Sequence, residues 1–248
     1  MNEIAFLDHA SPRQMDLLWS LGWRNFGKRF FRYSWFVHGG ESLTIIPLRI
    51  DVRAFFPSGS HRRTIRMNSD LHWNSGPVVP DSEHQDLLEL HALRFAENRP
   101  ETPADFLGEE VLESRPCEVR EISARSPEGP LLAVSYIGVG AESFSSIHAM
   151  FRPEFHRRRL GIATLLKELQ ETRASGRRFL YLGYATVEPS FYDYKKGFSG
   201  LEWYDWAEWH SSPVPGGAVR DPAFSAGGFA TFRLRHDPDD QFRQDGLF

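Results

Sequence analysis

The stretch from Leu131 to Tyr184 constrains the fold more than any other part of this 248-residue chain. Leu131–Val139 is apolar and of strand length, and Cys117–Ala124 precedes it across Ser126-Pro127-Glu128-Gly129, a good turn sequence, so the two predict a strand pair. Ser143–Phe151 reads as a third strand. Arg157-Arg158-Arg159-Leu160-Gly161-Ile162-Ala163 then opens a helix over Arg159–Ser175, with Leu160, Ala163, Leu166, Leu169 and Gln170 marking one face and Gly176 ending it. Phe179–Tyr184 has the character of a buried strand. Pro189–Lys196 follows as a short helix stopped by Gly197, and Leu201–Trp209 is a final strand. Strand, strand, strand, loop, helix, strand, helix, strand places this half in the α/β (α+β) class, with a mixed central sheet flanked by helices.

The first half is less regular. A helix ends over Asp16–Leu21 at Gly22, and an aromatic, basic stretch from Gly22 to Tyr33 follows. Phe30–Val37 and Leu43–Val52 are strand-like, and the polar, Arg-dense 58–70 segment has Ser58 or Ser60 available as a helix N-cap. Asp81-Ser82-Glu83 opens a helix with Leu87, Leu90 and Leu93 at helical spacing, expected to run to near Asn98. The expected division is an N-terminal lobe over 1–110, a catalytic domain over 111–210 and a surface-wrapping or poorly ordered tail over 211–248.

Composition excludes several classes. At 41% hydrophobic and 25% charged the chain is globular, and no apolar run approaches the roughly 20 residues of a membrane helix. The N-terminus carries Glu3 where a secretion signal has Lys or Arg, so a soluble, cytoplasmic protein without a membrane is expected. Cys117 is the lone cysteine, which excludes an intramolecular disulfide and cysteine-based metal centres; the ten histidines form no metal pattern, although His148 lies on the strand facing the helix loop. Residues 1–68 hold ten Lys/Arg against five Asp/Glu, whereas the remainder holds 19 against 28. Only Lys28, Lys167, Lys195 and Lys196 are lysines; the other basic residues are arginines, which bind phosphate bidentately.

A helix that starts at glycine beside arginines presents unpaired N–H groups and the positive end of its dipole to an anion. Arg158, Gly161 and Ala163 resemble the R-x-x-G-x-G/A pyrophosphate loop of the GNAT superfamily, whose strand order this half also follows. Phe191-Tyr192-Asp193-Tyr194-Lys195-Lys196-Gly197-Phe198 resembles the end of its late helix. The resemblance implies that the strand ending near Ala149-Met150 splays from its neighbour and offers N–H groups to a developing oxyanion. It also implies an acid or tyrosine for proton handling, for which Tyr184, Glu188, Asp193 and Tyr194 are candidates.

Gly22-Trp23-Arg24, Pro47-Leu48-Arg49-Ile50-Asp51-Val52 and Ser60-His61-Arg62-Arg63-Thr64-Ile65-Arg66-Met67-Asn68 resemble the aminoacyl-tRNA–protein transferases, the arginyltransferases and bacterial leucyltransferases. The likeness continues through Leu131–Ser135, Leu160-Gly161 and Tyr181-Leu182-Gly183-Tyr184, and spans about residues 16–198. It departs at the clustered cysteines of that family, absent from 34–44, and at the segment after Tyr184, where Pro189, Phe191 and Tyr192 replace the family's Cys and Lys-Met positions. The resemblance implies a transferase moving an amino acid from tRNA to the primary amine of a peptide or protein N-terminus. Arg24, Arg49, Arg62, Arg63, Arg66, Asn68 and Lys195 would then contact tRNA or substrate, and Arg158, Arg159, Gly161 and Ala163 the donor's acceptor-end anion. Trp23, Phe26 and Phe31 are candidates for stacking on unpaired bases. Aminoacyl-tRNA is a co-substrate, and no metal or redox cofactor is implied. Two other readings stay open: an acyl-CoA-dependent N-acyltransferase, which the Arg158 loop supports, and a non-catalytic tRNA- or peptide-binding relative.

Overall fold

The computed structural model describes residues 1–38, 40–78, 80–97, 100–107, 116–211, 213–215 and 229–230. Its strands are β1 (Asn2–Phe6), β2 (Arg24–Phe26), β3 (Arg29–Tyr33), β4 (Trp35–His38), β5 (Glu41–Asp51), β6 (His72–Pro77), β7 (Phe95–Glu97), β8 (Val119–Arg125), β9 (Leu131–Val139), β10 (Ser143–Phe151), β11 (Phe179–Thr186), β12 (Leu201–Tyr204), β13 (Trp209–Ser211) and β14 (Phe229–Ala230). The α-helices are α1 (Pro12–Ser20), α2 (Gly59–Met67), α3 (Ser82–Ala92), α4 (Ala104–Leu107) and α5 (Leu160–Ala174). Two 3-10 turns, Pro153–Arg158 and Phe191–Gly197, precede α5 and follow β11.

The central sheet has the order β13-β12-β5-β11-β10-β9-β8-β6, with β4 pairing β5 off this path. Its pairs are antiparallel except β10 with β11, so the sheet is mixed and the fold is α+β with helices on both faces. Strands from either side of residue 110 share this sheet. Every residue of β9 is buried, as its nearly continuous apolar sequence requires of a strand covered on both sides. Val134 and Tyr136 pack with Leu87 and Leu88 of α3, while Ile137 and Val139 pack with Leu165, Leu166 and Leu169 of α5. β11 divides the same way: Leu180 and Leu182 join the α5 side, and Tyr181 packs with Met15 and Trp19 of α1. The small sheet β1-β3-β2 covers that second face through Phe30 and Phe31.

Several boundaries differ from the sequence reading. The helix expected to reach Asn98 stops at Ala92, because Phe95–Glu97 pairs in parallel with Phe229–Ala230. The expected strand over Phe30–Val37 is two strands in different sheets, broken at Ser34. The helix expected over Pro189–Lys196 is a 3-10 turn, held by Ser190 in a capping box with Asp193. Most of the expected tail lies outside the described residues. Ser58 is the N-cap of α2, and β9 and β10 have the expected limits.

Candidate active site

β10 and β11 pair over only three residues, Ser143–Ser145 against Phe179–Tyr181, and then part. Each strand is irregular at that point. β10 carries a bulge between Ser146 and His148 in its register with β9, and β11 carries one between Tyr181 and Gly183 in its register with β5. A bulge bends its strand and raises the local twist, so two bulges side by side open the sheet. Gly183 has φ +79°, a left-handed conformation that glycine adopts without strain, and a Cβ there would stand 3.4 Å from the Arg24 guanidinium. The Tyr-Leu-Gly-Tyr sequence is therefore the device that opens the sheet and admits Arg24.

Three charged side chains meet in this gap. Arg24 enters from β2 on the α1 face, and its guanidinium donates to Ser145 Oγ and to the carbonyl of Ser146, which β11 no longer approaches. Glu168 enters from α5 on the opposite face, where its Oε1 accepts from Ser135 Oγ and, at 3.2 Å, from Ser146 Oγ. Its Oε2 is buried with no hydrogen-bond partner among the described residues. Lys195, from the 3-10 turn after β11, donates from Nζ to the carbonyls of Leu182 (2.9 Å) and Tyr184 (3.3 Å). One nitrogen reaches both, so these two carbonyls turn to the same side of β11 across the bulge and the left-handed Gly183.

The enclosure perturbs all three groups. Burial pushes the Glu168 carboxyl up to about 7, against the opposing effect of the two serine hydroxyls and of Lys195 and Arg24. Burial, helped by the Arg24 charge, brings the Lys195 ammonium down to about 7, with Glu168 pulling the other way. Burial also lowers Arg24 from its usual value. Tyr192, whose ring lies 4.9 Å from Lys195 Nζ, is pushed up to about 12 by burial. Ser146–Ala149 of β10 and Lys195 keep partial exposure, so the gap is a cleft rather than a sealed core. His148 stands on this stretch of β10 with its ring stacked on Phe106, its Nε2 unpartnered among the described residues and its pKa lowered to about 4 by burial.

The four residues expected to handle protons are engaged elsewhere or closed in. Tyr184 donates its hydroxyl to the carbonyl of Gly22 at 2.7 Å, and burial raises its pKa well above the ordinary phenol value. Glu188 accepts the backbone N–H of Thr44 at 2.8 Å. Asp193 caps its own turn through the Ser190 N–H and pairs with Lys196 at 2.7 Å. Burial also raises the Tyr194 phenol, whose charge neighbours are Glu168 and Arg94.

The residues expected to contact tRNA or substrate divide into three groups. Arg63 and Arg66 are exposed on α2 and make no ion pair with a described residue; Arg62 beside them donates to the Pro57 carbonyl at 2.6 Å. Arg49, by contrast, is packed between the rings of Phe179 (3.9 Å) and Trp209 (4.1 Å) and paired with Glu202 at 2.6 Å. Asn68 is buried and ties α2 to the loop before α5, donating to the carbonyls of Thr64 and Arg158. These two hold the fold together because their polar ends are directed into protein. Arg24 and Lys195 line the cleft. Phe31 is in the core, and Trp23 lies under the Arg32 guanidinium at 4.9 Å; Phe26 packs on Phe31 with ring centroids 5.4 Å apart.

The loop before α5 is also internally committed. Arg158 makes a bidentate pair with Asp70, both bonds 2.8 Å, and a further bond to the Met67 carbonyl. Arg159, the N-cap of α5 at φ +54°, donates to Ser60 Oγ at 2.5 Å. A Cβ on Gly161 would meet the Phe151 ring at 3.0 Å, so this glycine makes room for a core aromatic; Ala163 is buried beside a concavity of about 740 Å³ between α2 and α5. Among the described residues, Asp205, Glu208 and His210 could approach one metal ion, but Asp205 already accepts the N–H groups of Ala207 and Glu208 and contacts His210 Nε2 at 2.7 Å.

Residues 83–205 match the family described as arginine-tRNA-protein transferase, C terminus. An aspartate/glutamate leucyltransferase of Xanthomonas campestris pv. campestris (strain B100) is 30% identical over 184 residues, covering 71% of this chain and 72% of the relative. The chain belongs to this aminoacyl-tRNA–protein transferase family. The aspartate/glutamate leucyltransferase of Xylella fastidiosa (strain M23) is 27% identical over 197 residues, covering 76% of this chain and 75% of its own. Among solved structures, L-PGS from Bacillus licheniformis is similar at 16% identity over 71% of this chain and 52% of that one, with a TM-score of 0.45. A GCN5-related glucosamine N-acetyltransferase region of a fungal β-N-acetylglucosaminidase is similar at 14% identity, covering 68% of this chain and 20% of the other, with a TM-score of 0.46. Of the three charged residues in the cleft, the sequence singles out Arg24 and Lys195 and not Glu168. Its signal was a carboxylate inside the apolar face of α5, three residues after Leu165 and one before Leu169.

Proposed function

We propose that this chain transfers an amino acid from aminoacyl-tRNA to the amino terminus of a peptide or protein, with the reaction held in the gap between β10 and β11. One observation carries the location of the reaction: two parallel strands part after three paired residues, and half-buried Arg24 and Lys195 converge with buried Glu168 where the ladder stops. An open strand edge supplies oriented backbone donors for a carbonyl oxygen that gains charge, and enclosure strengthens their effect. The ester of a charged tRNA is already activated, so positioning of the amine supplies much of the remaining rate, and no metal or redox cofactor is required. Cytoplasm, where charged tRNA is made and used, is the compartment this reading assigns; no helix among the described residues is long and apolar enough to cross a membrane.

Arg63 and Arg66, with Arg62 at the same surface, are assigned to tRNA phosphates. The acyl-CoA reading depends on Arg158 and Gly161, and both are used in packing: Arg158 by Asp70, Gly161 by Phe151. The test is incubation with total charged tRNA and a mixture of peptide acceptors, read by mass spectrometry, alongside acetyl- and longer acyl-CoA. A peptide heavier by one amino-acid residue is expected. Acylation from CoA alone refutes the assignment of donor, and binding of tRNA without turnover of any amino acid refutes the assignment as an enzyme. Arg63→Ala and Arg66→Ala should each weaken tRNA binding and reduce the slope of log K against log salt by about 1.

A further inference from the structure

We propose that Lys195 takes the proton from the attacking amine and returns it to the departing ribose oxygen. The inference rests on the transferase reading above and adds to it the group that moves the proton. Nζ of Lys195 has four positions: one holds Cε, and two are directed at the carbonyls of Leu182 and Tyr184. The fourth position makes no hydrogen bond to a described residue, and the side chain keeps partial exposure at the cleft. In the ammonium that position is a proton; in the neutral amine it is the lone pair. The same two backbone bonds hold the nitrogen in either state. Of the side chains expected to handle protons, Tyr184, Glu188 and Asp193 are engaged with Gly22, Thr44 and Lys196, and burial raises the Tyr194 phenol far above neutral pH.

The surroundings suit the task. Arg24 reaches the cluster from β2, Glu168 from α5, and Tyr192 and Tyr194 from the lysine's own turn, with Tyr33 of β3 beside Arg24 and Tyr192. A fixed guanidinium and burial disfavour the ammonium, a buried carboxylate favours it, and the balance leaves both forms populated near neutral pH. Glu168 acts as a positioning residue that sets this balance without touching the substrate.

The step balances without another reactant. The neutral acceptor amine attacks the ester carbonyl carbon and a C–N bond forms. Its surplus proton passes to the neutral ε-amine of Lys195 as the tetrahedral oxyanion develops. The C–O bond then breaks, its electron pair leaves on the ribose oxygen, and that oxygen takes the proton from Lys195. An amide and a ribose hydroxyl result, and the lysine returns to its neutral form.

The chain has only four lysines, so selective ¹³C-lysine labelling gives few Cε resonances, and Lys195→Arg identifies the one that matters. That resonance should titrate near pH 7; a midpoint above pH 10 overturns the proposal whether or not any transfer is detected. Single-turnover transfer from charged tRNA to peptide should rise through the same midpoint. Lys195→Arg, which keeps the positive charge and its donors, should lower the rate at pH 8 by about 10²–10⁴-fold and leave only the rise set by the acceptor's own α-amine, at about 7.7–8.0. Glu168→Gln should retain the Lys195 rise but move it to lower pH, because the anion that favours the ammonium is gone. A Lys195→Arg protein that melts like the wild type and transfers within threefold of it overturns the assignment. If that variant does not fold, coincidence of the ¹³C and kinetic midpoints in the wild type, and their joint shift in Glu168→Gln, decides the matter. A wild type that transfers nothing refutes the transferase reading, while the ¹³C titration still judges Lys195.

Discussion

Tyr184→Phe removes one hydroxyl and separates a structural role from a catalytic one. The hydroxyl donates to the Gly22 carbonyl at 2.7 Å and lies 3.3 Å from the Phe31 carbonyl. The ring is buried, packed edge-on against Tyr33 at 5.0 Å and tilted against Trp206 at 6.1 Å, contacts that phenylalanine preserves. The loss is thus a buried carbonyl without its donor, about 1–3 kcal/mol. Unfolding entropy of ~2.1 cal/mol/K per residue gives a chain of this length ~0.5 kcal/mol/K, so the melting temperature should fall by about 2–6 °C. Near-ultraviolet circular dichroism during heating measures that fall, and single-turnover transfer well below the transition measures the chemistry. The rate should stay within about threefold of wild type, since the hydroxyl points to the loop at Gly22 and not into the gap. An unchanged melting temperature with a hundredfold loss of rate would refute this reading of Tyr184.

Two further perturbations test the packing around the cleft. His84 contacts Asp81 (2.6 Å) and Glu121 (3.1 Å); burial lowers its pKa, but the two carboxylates outweigh burial and the net direction is up. A raised histidine stabilises the fold fully below its unfolded value of about 6.5 and loses that contribution as pH rises through the folded value, so urea midpoints should fall above about pH 6.5 in the wild type and fall less in His84→Gln. Gly161→Val should cost about 1–3 kcal/mol by forcing the Phe151 ring away from the start of α5, visible as a lower urea midpoint with an unchanged slope.

Much of the catalytic half was legible because its segments carry simple patterns. The apolar run of β9 and the helical spacing of α5 each follow from burial on one or two faces. The splay itself followed from family likeness, and its cause, paired bulges and a left-handed Gly183, depends on register across three strands that spacing along one strand does not encode. β6 was missed because His72-Trp73-Asn74-Ser75-Gly76-Pro77 lacks β-branched residues and is a strand only through pairing with β8. The arginines misled for a related reason. Guanidinium groups at 49 and 158 look alike in sequence to those at 63 and 66, yet Glu202 and Asp70, far away in the chain, claim the first two. Arg24 was singled out for contact with tRNA or substrate and lies in the gap between β10 and β11, brought there by a small sheet that the sequence showed only as an aromatic, basic stretch from Gly22 to Tyr33 and a strand starting at Phe30.

The most direct test is a crystal structure with a stable mimic of the donor's tip, an adenosine bearing an amide-linked amino acid at its 3′ position. The account predicts the amide carbonyl against the free edge of β10 at Ser146–Ala149, within hydrogen-bond reach of its backbone N–H groups, and Lys195 Nζ facing the amide nitrogen. Binding of that adenosine in the concavity between α2 and α5, with the gap between β10 and β11 left untouched, would contradict it.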